Sequence, residues 1–267
     1  MNTLPIGRPL SVSLRNLDPS PVPGGNRFDN QSLGMIHTAM PMRLLTFLSL
    51  LVSTGIAKAL PPVQVFVLAG QSNMEGQGVV DMDHPKYYNG GRGILVNVMK
   101  NPAKRYAHLQ GKDGKWVVRD DVLVRFRNKQ GVMAGGLTIG DTGYGSDKSR
   151  HHIGPELQIG HQLGDAVDAP VLLVKTAWGG KSLHKDFRPP GSGGEVGVYY
   201  KRMLEEVREA LDNVGKEFPA LKDRKLKIRG FIWLQGWNDM FNKEALVGYE
   251  DNLVNLILDV RKEWGDS

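Results

Sequence analysis

Three short apolar segments, each followed by a glycine-containing turn, constrain the fold of this 267-residue chain most strongly. They cover residues 63–68, 171–174 and 228–234. Continuous apolar runs of this length are typical of strands buried on both faces of a parallel sheet. Amphipathic segments typical of helices lie at about 155–166, 199–213 and 243–264. The alternation predicts an α/β fold, with a parallel sheet that carries helices on both of its faces.

The region between the first two apolar segments has a less regular pattern. Two β-like pieces, 116–118 and 122–126, are expected to form a hairpin that decorates the domain. The glycine-rich residues 131–145 are expected to form a loop. A helix is expected to begin at Gly154-Pro155-Glu156, because proline suits the first turn and a glutamate complements the positive helix end.

The N-terminal residues are expected to lie outside the folded domain. Residues 1–41 are polar, rich in Pro, Asn and Gly, and without periodicity, which predicts disorder or an upstream region that is not translated. Met42-Arg43, an apolar run over 44–56 and a final Ala57-Lys58-Ala59 form the pattern of a secretory signal peptide over 42–59. The alternative is a buried hydrophobic helix.

Three expectations follow for the domain that begins after this signal. Pro61-Pro62 separates the apolar run from the rest of the chain and so favours a signal peptide followed by one domain over 60–267. The protein would then be secreted or periplasmic from a start at Met42, or cytoplasmic if the upstream start is real and masks the signal. The apolar run is too short to span a bilayer stably.

Composition excludes two classes of site and argues against a third. The chain has no cysteine, which rules out disulfides and thiolate zinc sites. Its net charge of +6 raises the possibility of nucleic-acid binding. However, basic and acidic residues alternate, as in 201–206, which indicates a solvated helix face, so no nucleic-acid partner is expected. No sequence feature specifies an oligomeric state.

The first of three polar motifs is Gly70-Gln71-Ser72-Asn73-Met74, directly after the first predicted strand. The glycine permits a sharp turn that presents Ser72 at the carboxyl edge of the sheet, where open α/β folds place their sites. Backbone N–H groups at the start of the next segment can face a developing negative charge. An isolated serine here would more simply be a helix cap.

The second and third motifs follow the other two predicted strands. Thr176-Ala177-Trp178-Gly179-Gly180 has two consecutive glycines that let a backbone N–H approach a ligand closely. Gly180-Lys181-Ser182 also matches the end of a phosphate-binding P-loop, but Lys175 stands where that motif requires its first glycine. The third motif is Gln235-Gly236-Trp237-Asn238-Asp239; an Asx turn at a strand end is its alternative explanation.

Together the three motifs, in this order, resemble blocks I, II and III of the SGNH (GDSL-like) hydrolases. The glutamine before Ser72 is similar to the sialate O-acetylesterase and acetylxylan esterase branch, carbohydrate esterase family 6. The resemblance runs from about Val63 to the C-terminus and implies a three-layer α/β/α, flavodoxin-like fold. It implies an esterase that removes O-acetyl groups from carbohydrates through an acyl-enzyme, with an acetylated carbohydrate as its partner and without a metal or organic cofactor.

The resemblance also implies roles for individual residues. Ser72 would be the nucleophile; the amide of Gly180, with Gly179 as the adjacent option, and the side chain of Asn238 or Gln235 would bind the oxyanion. The residues expected to contact substrate are Gln71, Trp178, Gly179, His184 and Trp237. The two tryptophans either stack on a sugar ring or belong to the core. Glu156 either supports the serine loop through hydrogen bonds or is only an acid in a first helical turn.

One part of the family pattern is missing from the sequence. The general base of these enzymes is a histidine in an Asp-x-x-His motif near the C-terminus, and here every histidine precedes residue 185. The Asp81–His84 spacing occurs soon after Ser72, in the wrong chain order. We therefore expect an esterase that lacks its base and its last strand. The alternative is a non-catalytic carbohydrate-binding remnant of such an esterase.

Overall fold

The computed structural model describes residues 60–81, 90–103, 105–140 and 152–265. The extension over 1–41 and the signal peptide over 42–59 lie outside the described residues, so both stay predictions. Within the described ranges, no helix has the length and apolar character needed to cross a membrane.

Seven strands and seven α-helices occur in the described residues, together with short 3₁₀ turns. The strands are β1 (Val63–Gly70), β2 (Gly78–Val79), β3 (Arg119–Asn128), β4 (Gly131–Leu137), β5 (His152–Ile153), β6 (Val171–Ala177) and β7 (Leu226–Leu234). The helices are α1 (Ser72–Glu75), α2 (Leu95–Val98), α3 (Glu156–Ala166), α4 (Val198–Asp212), α5 (Val214–Glu217), α6 (Lys243–Val247) and α7 (Tyr249–Trp264).

The central sheet has five strands in the order β4-β3-β6-β1-β7. The pairs β3–β6, β6–β1 and β1–β7 are parallel, and only β4 runs antiparallel to its neighbour β3. β2 and β5 form a separate two-stranded sheet. The predicted parallel sheet is therefore confirmed, and among the described strands β4 and β7 lie at its two edges.

Helices cover both faces of this sheet because successive side chains of β1 and β6 point in opposite directions. On one face Leu68 and Leu173 share a core cluster with Leu157 of α3. On the other face Val65 and Leu172 share a cluster with Val207 of α4. α7 packs on the sheet through a third cluster. Burial on both faces explains the apolar runs of β1 and β6. β7 is only half-buried because it lies at an edge of the described sheet, so the expectation of burial on both faces was wrong for 228–234. The three-layer α/β/α fold is confirmed.

The predicted decorating hairpin was wrong in its position and its partner. β3 belongs to the main sheet, and its hairpin partner is β4, within the segment 131–145 that was expected to be a loop. Residues 116–118 contribute only an isolated bridge from Trp116 to Gln110. Because three of its residues are glycines, β4 lacks the alternation of polar and apolar side chains that indicates a strand. Its backbone hydrogen bonds to β3 nevertheless hold the segment extended.

The last predicted helix, 243–264, is interrupted at Gly248. α6 ends at Val247 and α7 begins at Tyr249. The Asn242 side chain caps α6 by accepting a hydrogen bond from the Ala245 N–H at 2.9 Å. The apolar residues of the two helices follow one continuous helical spacing in the sequence, so the break at Gly248 was not predicted.

Candidate active site

The three polar motifs meet because the strands that precede them are neighbours. In the sheet register, Gly70 at the end of β1 lies opposite Ala177 of β6 on one side and Leu234 of β7 on the other. The carboxyl ends of three parallel strands therefore lie side by side at one edge of the sheet. This convergence is what the sequence predicted.

Gly70 lies at the closest approach between the first and third motifs. Its φ of +152° is one that side-chain-bearing residues rarely adopt. A Cβ atom there would lie 2.1 Å from the carbonyl oxygen of Leu234. The same carbonyl accepts a hydrogen bond from the Gln71 N–H at 3.2 Å. Only glycine lets β1 turn this tightly beside β7.

Ser72 is the first residue of α1 and is half-buried. No side chain caps this helix, and among the described residues the Ser72 N–H has no hydrogen-bond acceptor. Ser72 faces a cleft of about 670 Å³ that Gly179, Gly180 and Asn238 also line. The nucleophile predicted from the sequence and three of its predicted companions thus share one cavity.

The two glycines after β6 differ in their hydrogen bonding. The Gly179 N–H donates to the Glu75 carboxylate at 2.7 Å. The Gly180 N–H has no acceptor in the described part of the chain, and the residue has a φ of +70°. Of the two predicted oxyanion donors, Gly180 is therefore the one whose amide remains available.

Asn238 reaches across the cleft to the same loop. Its side-chain amide donates to the Gly180 carbonyl at 2.5 Å, and its second amide proton has no partner among the described residues. Its backbone N–H donates to the Gln71 side chain at 3.2 Å. An amide held in this way can direct its remaining proton toward a ligand beside Ser72.

Gln71, Gln235 and Asp239 connect the three motifs at the cleft, which Gln71 also lines. The Gln71 side-chain oxygen accepts from Gln235 Nε2 at 3.2 Å as well as from two backbone N–H groups of the third motif. Gln235 Nε2 also donates to Asp239 at 2.6 Å and to the Lys181 carbonyl at 2.9 Å. The side-chain amides of Gln71 and Gln235 are thus engaged within the protein, so of the two side chains predicted to bind the oxyanion, Asn238 is the one that keeps an available proton.

Asp239 organises the loop that follows the two glycines. It is 1% exposed and accepts from the Leu183 N–H at 2.9 Å and from the His184 N–H at 2.8 Å. No role for Asp239 was predicted from the sequence, although its place beside Asn238 in the third motif was a signal.

The predicted aromatic contacts occupy different environments. Trp178 is half-buried, packs against Tyr199 and Phe187 with ring centroids 5.1 and 5.8 Å away, and still lines the cleft. Trp237 is 64% exposed at the cleft and has an edge contact with Phe241. His184, in contrast, lines a neighbouring cavity and not the one that Ser72 lines.

The walls of the cleft contain charged residues that were not predicted from the sequence. Arg127 and Lys129 come from the β3–β4 hairpin, and Arg202 comes from α4. Arg127 is paired with Glu209 and Arg202 with Glu206. These residues are distant in sequence from all three motifs, so no local pattern pointed to them.

A buried ion pair lies under α1. Lys175 of β6 and Glu156 of α3 are 0% and 2% exposed in their side chains, and Lys175 Nζ lies 2.7 Å from Glu156 Oε2. Lys175 Nζ also donates to the Glu75 carbonyl at 3.0 Å, while Glu156 accepts from the Gly154 N–H at 2.8 Å. Burial lowers the pKa of Lys175, and its interactions with Glu156 oppose this shift. These contacts favour the supporting role for Glu156.

No histidine occurs among the described residues that line the Ser72 cleft. His84 and His151 lie outside the described residues. His161 is buried in α3, where its ring packs edge-on to that of His108 at 4.9 Å. Its pKa is lowered, chiefly by burial.

Comparisons with known proteins relate this chain to one family and to several solved structures. A family model described as carbohydrate esterase, sialic acid-specific acetylesterase matches residues 62–267. Among solved structures, one Arabidopsis thaliana protein is 19% identical with a TM-score of 0.45, and the match covers 76% of this chain and 69% of that chain. A carbohydrate acetylesterase from Xanthomonas citri is 14% identical with a TM-score of 0.42, over 76% of this chain and 38% of that chain. A search of curated proteins finds no match.

The family match spans the whole described domain, including the three motifs that converge at the cleft. The predicted resemblance and the predicted enzyme class, a carboxylic ester hydrolase acting on carbohydrates, are confirmed at this level. The chain belongs to the carbohydrate esterase family of sialic acid-specific acetylesterases.

Proposed function

We propose that this carbohydrate O-acetylesterase works through an acyl-enzyme on Ser72. The observation that carries the proposal is the convergence of Ser72, Gly180 and Asn238 in one cleft at the ends of three adjacent strands. A serine hydroxyl beside several hydrogen-bond donors is the arrangement that acyl transfer requires.

In the proposed reaction Ser72 Oγ attacks the acetyl carbonyl of the substrate. The carbonyl oxygen becomes an oxyanion, and the N–H groups of Ser72 and Gly180 and the Asn238 side chain donate to it. Each well-placed donor of this kind contributes about 3 kcal/mol to the transition state. Support comes from the two backbone amides, which lack other acceptors among the described residues.

The tetrahedral intermediate then collapses. The bond between the carbonyl carbon and the sugar oxygen breaks, the sugar hydroxyl leaves with one proton, and acetyl-Ser72 remains. Water adds to this ester, the bond between the acetyl carbon and Ser72 Oγ breaks, and one proton of the water returns to Oγ. Acetate leaves, and the second proton of the water passes to solvent. A base must carry the proton in both steps, and no histidine occurs among the described residues that line the cleft.

The sugar is proposed to lie against Trp237. Its indole is exposed at the cleft, and aromatic faces of this kind provide a large contact area with little conformational freedom to lose. Trp178 supports the site mainly through its packing with Phe187 and Tyr199.

Acetate release by the full-length chain and by Ser72→Ala tests this mechanism. With an acetylated oligosaccharide or p-nitrophenyl acetate, turnover by the unsubstituted protein should be lost in the variant; the fall reaches about 10⁴-fold where a base of the chain assists Ser72 and is smaller where none does. Equal turnover in both proteins, at equal folded content by circular dichroism, would rule out Ser72 as the nucleophile.

A second candidate, binding without turnover, is favoured by the lack of a histidine among the described cleft residues. It predicts that the folded chain binds acetylated oligosaccharides in a saturable way and releases no acetate. Isothermal titration together with an acetate assay on the same sample separates the two functions. Trp237→Ala should weaken binding in either case, because the proposed stacking surface is lost.

We also propose that the protein is exported through the signal peptide over 42–59. The support is the order of charged, apolar and Ala-x-Ala segments in the sequence. Expression from Met42, followed by mass spectrometry of the exported protein, should give an N-terminus near Leu60. Protein that stays in the cytoplasmic fraction and still carries residues 42–59 would contradict the proposal.

A further inference from the structure

Glu75 is the acid in the cleft beside Ser72, and the proposed mechanism does not use it. It lies three residues after Ser72 on α1, so both side chains project from nearby positions of one helical turn. Its carboxylate accepts the Gly179 N–H at 2.7 Å. A Cβ atom built on Gly179 would lie 3.2 Å from that carboxylate and 4.0 Å from the Ser72 Cβ. The glycine loop therefore passes directly over the serine helix.

This hydrogen bond determines how the loop presents its two amides. Gly179 N–H points to Glu75, while the next amide, that of Gly180, has no acceptor in the described part of the chain. From the other side, Asn238 holds the Gly180 carbonyl. Residues Gly179 and Gly180 are exposed, so these two contacts, and not burial, restrain them.

The backbone of Glu75 is held by a buried lysine. Its backbone carbonyl accepts from Lys175 Nζ at 3.0 Å, and Lys175 is paired with Glu156 at 2.7 Å in the interior. α1 has only four residues and no side-chain cap, so it gains little stability of its own. The buried ion pair thus anchors the C-terminal end of the helix from which the Glu75 side chain reaches the loop.

We propose that Glu75 is a positioning residue that orients the Gly179–Gly180 loop, so that the Gly180 amide points to the acetyl oxygen over Ser72. The proposal rests on the proposed function for its catalytic consequence. The hydrogen bond and its effect on the loop can be tested without any turnover.

The charges around Glu75 define its behaviour with pH. Lys175 from β6 and Lys129 from the β3–β4 turn face it, together with the Gly179 N–H from the loop, and Arg127 lines the same cleft. Burial is the largest influence and raises the pKa of Glu75 above its ordinary value of 4.5, while the hydrogen bond and the two lysines partly oppose this rise. Protonation should weaken the bond to Gly179, because a neutral carboxyl is a poorer acceptor.

The first test is a pH titration of the Gly179 amide by NMR in the full-length protein. Labelling tryptophan with ¹³C at the carbonyl and glycine with ¹⁵N selects the two glycines that follow a tryptophan, Gly179 and Gly265. The Gly179 proton resonance should titrate with a midpoint above 4.5. Gly265, whose N–H donates to the Arg261 carbonyl, is an internal control that should not follow this titration.

Variants assign the titration to Glu75. Glu75→Gln keeps an acceptor oxygen and should abolish the pH response while the Gly179 amide stays protected from exchange. Glu75→Ala should abolish both the response and the protection. Glu205→Gln removes an exposed carboxylate from α4 and should behave like the unsubstituted protein. A Gly179 titration unchanged in Glu75→Gln would overturn the proposal.

Kinetics test the catalytic consequence. Glu75→Ala should lower kcat by about 10- to 100-fold with little change in KM. The reason is that a misplaced Gly180 N–H would stabilise the transition state less while changing substrate binding little. Glu75→Gln should retain most of the activity. An equal loss in both variants would contradict a positioning role and indicate that the carboxylate exchanges protons. If the chain shows no turnover at all, the proposed function fails, and the NMR titration still decides the role of Glu75.

Discussion

At the scale of single residues, the candidate site is held together by side chains that bind other groups of the protein. Gln71, Gln235 and Asp239 bind one another or the backbone of the opposite loop; Gln71 follows β1, and the other two follow β7. Amide and carboxylate groups suit this task because one side chain can satisfy several backbone N–H groups. The geometry of the cleft therefore depends on polar contacts between loops.

Gly70→Ala should be among the most damaging small substitutions in the domain. The added methyl group would meet the Leu234 carbonyl at 2.1 Å, and the backbone would hold a φ of +152°. We expect a loss of roughly 3 kcal/mol in unfolding free energy, together with reduced esterase activity. Urea denaturation followed by fluorescence gives the free energy.

Gly135→Ala is the matched control for this change. Gly135 lies in β4, and a Cβ atom there has no neighbour within 4 Å. The unfolding free energy of the Gly135→Ala variant should differ from that of the unsubstituted protein by less than about 0.5 kcal/mol. Equal stability of the two alanine variants would show that the close approach of β1 and β7 is not required.

Because Lys175 and Glu156 form a buried pair, substituting either residue alone should lower the unfolding free energy more than substituting both. Lys175→Met leaves a buried carboxylate without its cation, which we expect to cost about 3–5 kcal/mol. Adding Glu156→Gln should recover much of this loss, because the amide oxygen can still accept from the Gly154 N–H. Thermal or urea unfolding of the three variants measures the coupling, and strict additivity would contradict a direct pair.

At the scale of elements, strand ends were easier to predict than strand partners. The apolar runs of β1, β6 and β7 identified three strands, of which β1 and β6 are buried and β7 is a half-buried edge strand. Their parallel order brings their turns together, which is why Ser72 and Asn238 were expected at the same edge of the sheet. β4 was missed because its glycines carry no side-chain pattern. Pairing with β3 supplies the hydrogen bonds that make it a strand.

Contacts between distant elements explain what else was missed. Lys175 was noted only as a mismatch to a phosphate-binding motif, yet it joins β6 to α1 and α3. Glu75 had the pattern of an ordinary residue in a helix. Its partner Gly179 is 104 residues away, and only tertiary structure brings them together.

The first turn of α7 should influence the third motif through Tyr249. The Tyr249 hydroxyl donates to the Gln235 carbonyl at 2.6 Å and accepts from the Trp233 indole at 3.3 Å. Tyr249→Phe should lower the unfolding free energy by about 1 kcal/mol and reduce kcat, because Gln235 loses a restraint. Tyr106→Phe, at a tyrosine whose hydroxyl has no hydrogen bond in the described ranges, should change neither quantity.

At the scale of the whole molecule, the positive charge is dispersed. The net charge is +6, but basic side chains at the cleft, such as Arg127 and Arg202, are paired with glutamates. A nucleic-acid site would need a continuous array of unpaired cations that release counterions on binding.

We therefore expect the full-length protein to have no specific affinity for single- or double-stranded DNA or RNA. Fluorescence anisotropy with labelled oligonucleotides at about 50 and 200 mM salt is the appropriate measurement. Submicromolar binding that falls steeply between these concentrations would contradict the expectation. An acetylated oligosaccharide serves as the positive control for an intact cleft.

Through their hydrogen bonds, Gln71, Gln235 and Asp239 join the loops that follow β1, β6 and β7. Loops joined in this way should open together, because each contact restrains the ends of more than one strand. We expect the amides of the three loops to exchange with solvent as one cooperative unit that has a common opening free energy. A substitution in any of the three side chains should then speed exchange in all three loops.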